Sequence, residues 1–260
     1  MLVKDVGICI ARRDYSETSQ ISTIFTRDHG KVRGIAKGAR RPRSKFSQGL
    51  ELLSRGQLVF SSPRTGSGLI TLTEWTLQDS YQQLRRSLQR LYRAYYLAEL
   101  VDLFTEELDP HQRLYDLFSQ ALANLSAHDS WGDLLTFQLN LLREVGLSPQ
   151  LSSCVRCGVS GSAPLAVRAS PSRRVEPSDC LSFTEGGILC PACAQTIPEK
   201  SRIMPLGLEL LCRIVAATGS TESHMADHLE DRPARQAQEL LSYWIRAALN
   251  RQPKTAHLLR

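Results

Sequence analysis

At Gln78 the hydrophobic period of this chain changes, and the change divides it into two kinds of structure. Upstream, apolar residues recur at every second position; downstream, they recur at every third and fourth. A strand turns successive side chains to opposite faces, while a helix returns to the same face after three or four residues. One packing scheme cannot serve both patterns, so an all-β unit is expected to precede an all-α one.

In the upstream part, Val3, Val6, Ile8 and Ile10 give an imperfect alternation over 3–12, followed by a turn at 14–19. Ile21, Thr23 and Phe25 make a second run, which ends at Arg27-Asp28-His29-Gly30, where glycine suits the positive φ of a turn. Residues 31–36 make a third run, and 50–61 a fourth centred on Leu58, Val59 and Phe60. A fifth covers 69–77, with Leu69, Thr71, Thr73, Trp75 and Leu77 on one face. Five short strands and one long loop fit an OB-fold β-barrel, expected over 1–79. An SH3-like barrel has a similar strand count, which does not separate the two.

Downstream, Leu84, Leu88, Leu91, Tyr95 and Ala98 mark a helix over 80–107. Asp109-Pro110 reads as the cap and first position of a second helix, apolar at Leu114, Leu117, Phe118, Ala121, Leu122 and Leu125. Ser130 caps a third, lined by Leu134, Leu135, Gln138, Leu142 and Val145 and stopped by Gly146. Residues 206–217 and 234–250 make two more, and the tail from Arg251 looks frayed. Tyr92, Tyr95 and Tyr96 read as packing residues, not as a stacking platform. The expectation is a helical domain over 80–151 and 197–260, giving a multi-domain α+β protein.

The interruption at 152–196 carries Cys154-x-x-Cys157-Gly158 and Cys190-x-x-Cys193, with 32 residues between the pairs. Two such turns present four thiolates to one tetrahedral ion, which predicts one structural zinc held by Cys154, Cys157, Cys190 and Cys193 in a ribbon-like module. Residues 163–167 and 181–183 are its candidate strands. A redox role needs one such motif in a thioredoxin-like context, which is missing here. Four thiolates fill the coordination shell and leave no position for a reacting water. Cys180 reads as a spare thiol, and Cys9 and Cys212 as small core residues. Paired cysteines of this kind point to a reducing compartment, so a cytoplasmic protein is expected.

Charge supplies the functional clue. The formal net charge is +6, and residues 1–80 hold 13 Lys/Arg against 7 Asp/Glu, so the whole excess lies in the barrel region. Within it, residues 31–46 hold Lys31, Arg33, Lys37, Arg40, Arg41, Arg43 and Lys45 and no acid, with Gly34, Gly38 and Pro42 as breakers. A mobile cationic loop between strands suits a long polyanion, because fixed cations release counterions when they meet phosphates. A solubility device would not need such confinement. Arg156, Arg168, Arg173 and Arg174 give the cysteine module a weaker positive charge. Phe46 is read as core.

No apolar run is long enough to span a membrane, and phosphate-binding, nucleophile-elbow and zinc-protease motifs are missing. His224 and His228, beside Asp227, are a weak metal signal; Glu106, Glu107, Glu230 and Asp231 look solvated. The chain is therefore not expected to be an enzyme.

Two stretches carry a family resemblance. Gly30-Lys-Val-Arg-Gly-Ile-Ala-Lys-Gly-Ala-Arg-Arg-Pro-Arg-Ser resembles the glycine-lysine strand and AKGARR loop of the bacterial RecO family. Glu144-Val-Gly-Leu-Ser-Pro running into Cys154-x-x-Cys157-Gly resembles that family's link from helix to zinc module. The long segment between the cysteine pairs and the polar stretch at 220–231 depart from the pattern. The resemblance implies a non-enzymatic recombination mediator in DNA repair. Such a protein binds single- and double-stranded DNA, anneals complementary strands and contacts the acidic tail of single-stranded DNA-binding protein. It works with RecR and RecF to help load RecA. Carried onto this chain, the seven cations of 31–45 become the DNA contacts. The alternative is a zinc-stabilised interaction scaffold whose basic loop docks an acidic partner.

Overall fold

A computed structural model describes residues 1–41, 44–46, 50–61, 69–159, 180–202, 204–217 and 231–259. Pro42, Arg43, the candidate strand at 163–167, Arg168, Arg173, Arg174, His224, Asp227, His228 and Glu230 lie outside them.

Five strands close into a barrel: β1 (Leu2–Asp14), β2 (Gln20–Thr26), β3 (Gly30–Ala36), β4 (Arg55–Ser61) and β5 (Ile70–Asp79), in the order β1-β2-β3-β5-β4. All neighbours are antiparallel except β3 and β5, which pair in parallel at Gly34–Ala36 against Ile70–Leu72. This order, with β1 paired to both β2 and β4, is the OB-fold barrel. Ile24, Val32, Leu58, Phe60, Leu72 and Trp75 fill it and are almost fully buried. Gly34 permits the parallel contact, since a Cβ there would fall 2.5 Å from the Ile70 carbonyl oxygen.

Bulges explain why alternation is imperfect. The register of β1 against β2 shifts between Cys9 and Ala11, so Ile8, Cys9 and Ile10 are all buried. A second shift, in β5 opposite Val59 and Phe60, places Ile70, Leu72 and then Trp75 inside. The face expected from Leu69, Thr71 and Thr73 is thereby corrected: Leu69 is exposed and the two threonines are half-buried. The fourth strand starts at Arg55, not at 50, because Leu53 turns with φ 65°. The Leu53 N–H donates to the Cys9 carbonyl (2.8 Å), which leaves Leu50 and Leu53 as buried plugs.

The helices are α1 (Leu88–Phe104), α2 (Gln112–Ala127), α3 (Trp131–Glu144), α4 (Pro191–Ala194), α5 (Pro205–Ala217) and α6 (Asp231–Leu249). The helix expected from residue 80 starts later. A 3-10 turn at Gln82–Arg86 comes first, and Ser87 caps α1 by accepting from the Arg90 N–H. The buried stripe of α1 is Ala94, Leu97, Leu100 and Val101, with Leu88 exposed. Asp109 is not the cap of α2; His111 holds that position without a side-chain bond. Ser130 does cap α3, accepting from Gly132, and Gly146 follows the helix at φ 72°. Gln138 is buried and exchanges amide hydrogen bonds with Gln238 of α6.

Two compact units result: residues 1–129 with 253–260, and residues 130–252. The first joins α1 and α2 to the barrel, so these units are drawn differently from the domains expected at 1–79 and 80–151. The tail is not frayed. Residues Lys254–Leu259 form a 3-10 turn, and the Glu99 carboxylate accepts from the backbone N–H groups of Lys254 and Thr255, each at 2.7 Å. In the second unit a small sheet, β7-β6-β8, is built from β6 (Cys180–Ser182), β7 (Gly187–Leu189) and β8 (Ser201–Arg202). Among the described residues no helix is long and apolar enough to cross a membrane.

Candidate nucleic-acid interface and metal centre

Antiparallel register sets the cationic face. Arg13 lies opposite Ile21, and Ile21 opposite Ile35; Ala11, Thr23 and Arg33 form the next row. Residues directly opposite share a face, so Arg13 and Arg33 stand on one side of β1-β2-β3. There Arg12, Arg13, Thr23, Lys31, Arg33 and Glu107 line an open cavity of about 270 Å³.

The six predicted cations among the described residues divide into three groups. Arg33, Lys37 and Arg41 are exposed and have no ion-pair partner among the described residues. Arg40 and Lys45 are exposed but paired, Arg40 to Asp14 at 3.3 Å and Lys45 to Glu74 at 2.8 Å. The Lys45 hydrogen bond and charge hold the Glu74 carboxyl below the usual carboxylate range. Both pairs lie in water, where such contacts contribute little and a phosphate can displace the acid.

Lys31 is the exception. Its ammonium donates to the carbonyls of Asp102 (2.6 Å) and Thr105 (2.8 Å) and lies 3.1 Å from the Asp102 carboxylate. It is buried and satisfied at the end of α1, where terminal carbonyls lack helical partners. Arg43 lies outside the described residues.

The described part of the basic loop is pinned at both ends. Gly38, at φ 68°, makes a turn in which Arg41 N–H donates to the Gly38 carbonyl. The Arg40 N–H donates to the Thr18 carbonyl at 3.2 Å, and the Trp75 N–H donates to the Lys45 carbonyl at 3.1 Å. Phe46 is buried in the barrel core, as read from the sequence. Sequence reasoning missed Arg12 and Arg13. Their signal was two adjacent arginines at the end of a strand, but only the register brings Arg13 beside Arg33.

The four predicted cysteines converge. Their Sγ atoms all lie within 4.8 Å of one another, and Cys157 and Cys190 are 3.7 Å apart. Four thiolates around a tetrahedral zinc at about 2.3 Å stand about 3.8 Å apart, so the spacing fits. Each pair is a tight turn: the Gly158 N–H donates to the Cys154 carbonyl, with Gly158 at φ 70°, and the Ala194 N–H donates to the Cys190 carbonyl. Arg156 braces the turns by donating to Glu185 (3.0 Å) and Thr196 (3.1 Å). Burial opposes ionisation of Cys154, but backbone hydrogen bonds from Cys190, Cys157 and Arg156 outweigh it and bring the thiol down to about 6. Cys193, hydrogen-bonded to Cys190, is pushed up to about 12. One thiolate suppresses ionisation of its neighbours, and a divalent cation would remove that conflict. Cys180 packs beside the cluster but is not one of the four; Cys9 is fully buried and its thiol raised to about 12 by burial.

A barrel with exposed cations that have no ion-pair partner among the described residues, followed by helices and four cysteines close enough to hold a metal ion, defines a class of two-unit protein. The comparisons with known proteins narrow that class. The family described as Recombination protein O N terminal matches residues 1–81, and Recombination protein O C terminal matches 85–257. The DNA repair protein RecO of Symbiobacterium thermophilum is 31% identical, over 97% of this chain and 94% of its own length. That of Moorella thermoacetica is 34% identical over 72% of this chain, and the match spans 64% of the relative. That of Rhodopirellula baltica is 33% identical over 79% of this chain and 71% of the relative. The chain belongs to the RecO family, whose members support a role in DNA repair and recombination.

Proposed function

We propose that this protein is a DNA-binding recombination mediator. It binds single- and double-stranded DNA through the barrel, anneals complementary strands, and assists RecA loading with RecR and RecF on DNA coated by single-stranded DNA-binding protein. The acidic tail of that coating protein is a further partner. The observation that carries the reading is the set Arg13, Arg33, Lys37 and Arg41: exposed, without ion-pair partners among the described residues, in the barrel of a RecO-family chain. Arg40 and Lys45 join them when phosphate displaces Asp14 and Glu74.

The mechanism follows from what annealing requires. Two phosphate backbones repel each other, and a cationic surface that neutralises both lets complementary bases meet. Backbone contacts leave base edges free to pair, whereas a base-reading groove would compete with pairing. The chemistry is binding and release, with no covalent step. The four cysteines hold one zinc that stabilises the second unit, a role suited to a filled thiolate shell.

Strand annealing by the pure protein tests the reading. Complementary oligonucleotides should anneal faster with protein than without, in a salt-sensitive way. If annealing is not accelerated while binding to an acidic peptide persists, the reading gives way to a scaffold that docks an acidic partner.

A further inference from the structure

We propose that Tyr15 is a base-stacking residue for single-stranded DNA, an inference that rests on the DNA-binding reading and gives it a specific contact. Tyr15 is 64% exposed and is the one exposed aromatic side chain among the described residues. Its ring has no aromatic partner there. A single apolar residue in water means little by itself; its surroundings give this one meaning.

Tyr15 lies in the turn between β1 and β2, next to Asp14 and three residues before Thr18, and both of these touch Arg40 of the basic loop. The turn is built, not frayed. The N–H groups of Tyr15 and Ser16 both donate to the Ser19 carbonyl, at 3.0 and 3.2 Å, and the Ser19 N–H donates to Ser16 Oγ at 3.2 Å. The ring is therefore presented from an ordered backbone, so binding has only its own side-chain rotation to restrict. Arg13, two residues before it, belongs to the cationic strand face, and Arg41 follows Arg40 in the loop. An aromatic ring placed between cations is the arrangement that holds a single strand: cations take the phosphates while the ring takes a base face. The β1–β2 loop is also one of the loops with which OB-folds grip oligonucleotides. The other aromatics at the basic loop, Phe46 and Trp75, are committed to the core.

Stacking needs a base and a ring but no hydroxyl, which separates it from charge. Full-length protein is titrated with an oligothymidylate and with an abasic phosphate chain of equal length, by fluorescence anisotropy across a salt series. The parent should prefer the oligothymidylate by about tenfold, as one stacked base implies. Tyr15→Ala should lose most of that preference while keeping its affinity for the abasic chain and its salt slope. Tyr15→Phe should keep the preference. An undiminished preference in Tyr15→Ala, or a loss in Tyr15→Phe equal to that in Tyr15→Ala, would overturn the proposal and leave DNA binding intact. A parent that binds neither chain would overturn both. Circular dichroism and thermal melts confirm that the exposed substitutions leave the fold unchanged.

Discussion

The Lys31 ammonium caps the end of a helix: it lies 2.6 Å from the backbone carbonyl of Asp102 and 3.1 Å from that residue's carboxylate. A cation read from sequence as a DNA contact is thus a joint between β3 and α1. Lys31→Met should lower stability by about 2 kcal/mol, because it strands carbonyls that the ammonium had satisfied. The salt dependence of oligonucleotide binding should stay unchanged. Urea unfolding checks the first outcome and anisotropy the second.

Glu99 fastens the C-terminal tail through two backbone N–H groups and the Thr255 hydroxyl. Glu99→Ala should cost about 1–2 kcal/mol and open the tail to trypsin after Arg251 and Lys254. A proteolysis time course compared with the parent reads this directly.

Arg27 and Asp116 form a two-pronged pair, with both hydrogen bonds at 3.0 Å. The hydrogen bond from Arg27 holds the Asp116 carboxyl below its ordinary value of 3.8. A depressed folded value means that the contribution is present above the unfolded value and is lost as pH falls through the folded one. Asp116→Asn should therefore be slightly less stable than the parent at pH 7, and the difference should fade as pH falls through the depressed folded value of the carboxyl. The pair is exposed, so the effect is small. Urea midpoints at several pH values measure it.

Much of this structure was legible in the sequence, and the misses share a cause. Five strands, the capping role of Ser130, the stop at Gly146, the turn glycine at Gly30 and the four converging cysteines all follow from local rules. What local rules cannot see is register. The bulge in β5 split the face expected to run from Leu69 through Thr71 and Thr73 to Trp75, because one extra residue flips every side chain before it. The burial of Lys31 against the end of α1 was not visible because its partners lie 71 and 74 positions away. Arg13 was overlooked for the converse reason, since only β2 and β3 reveal that it stands with Arg33. Tertiary contacts also decided that Leu88 faces water and that the tail docks.

Cys157→Ala should abolish stoichiometric metal. The parent should hold one zinc per chain by elemental analysis and the variant none. A structural zinc contributes on the order of 10 kcal/mol to folding such a module, so chelation should release hydrogen-exchange protection across 150–159 and 180–197. Protection in the barrel strands should persist.

The central claim concerns Arg33, Lys37 and Arg41, exposed and without ion-pair partners among the described residues. Single-stranded oligonucleotide affinity is measured over a salt series for the parent and for an Arg33→Ala, Lys37→Ala, Arg41→Ala triple variant, alongside strand annealing. Each lost phosphate contact should reduce the log–log salt slope by about 0.7, so the variant's slope should fall by about 2, with weaker binding, slower annealing and near-parental stability. Equal affinity, slope and annealing rate in parent and variant would contradict the account.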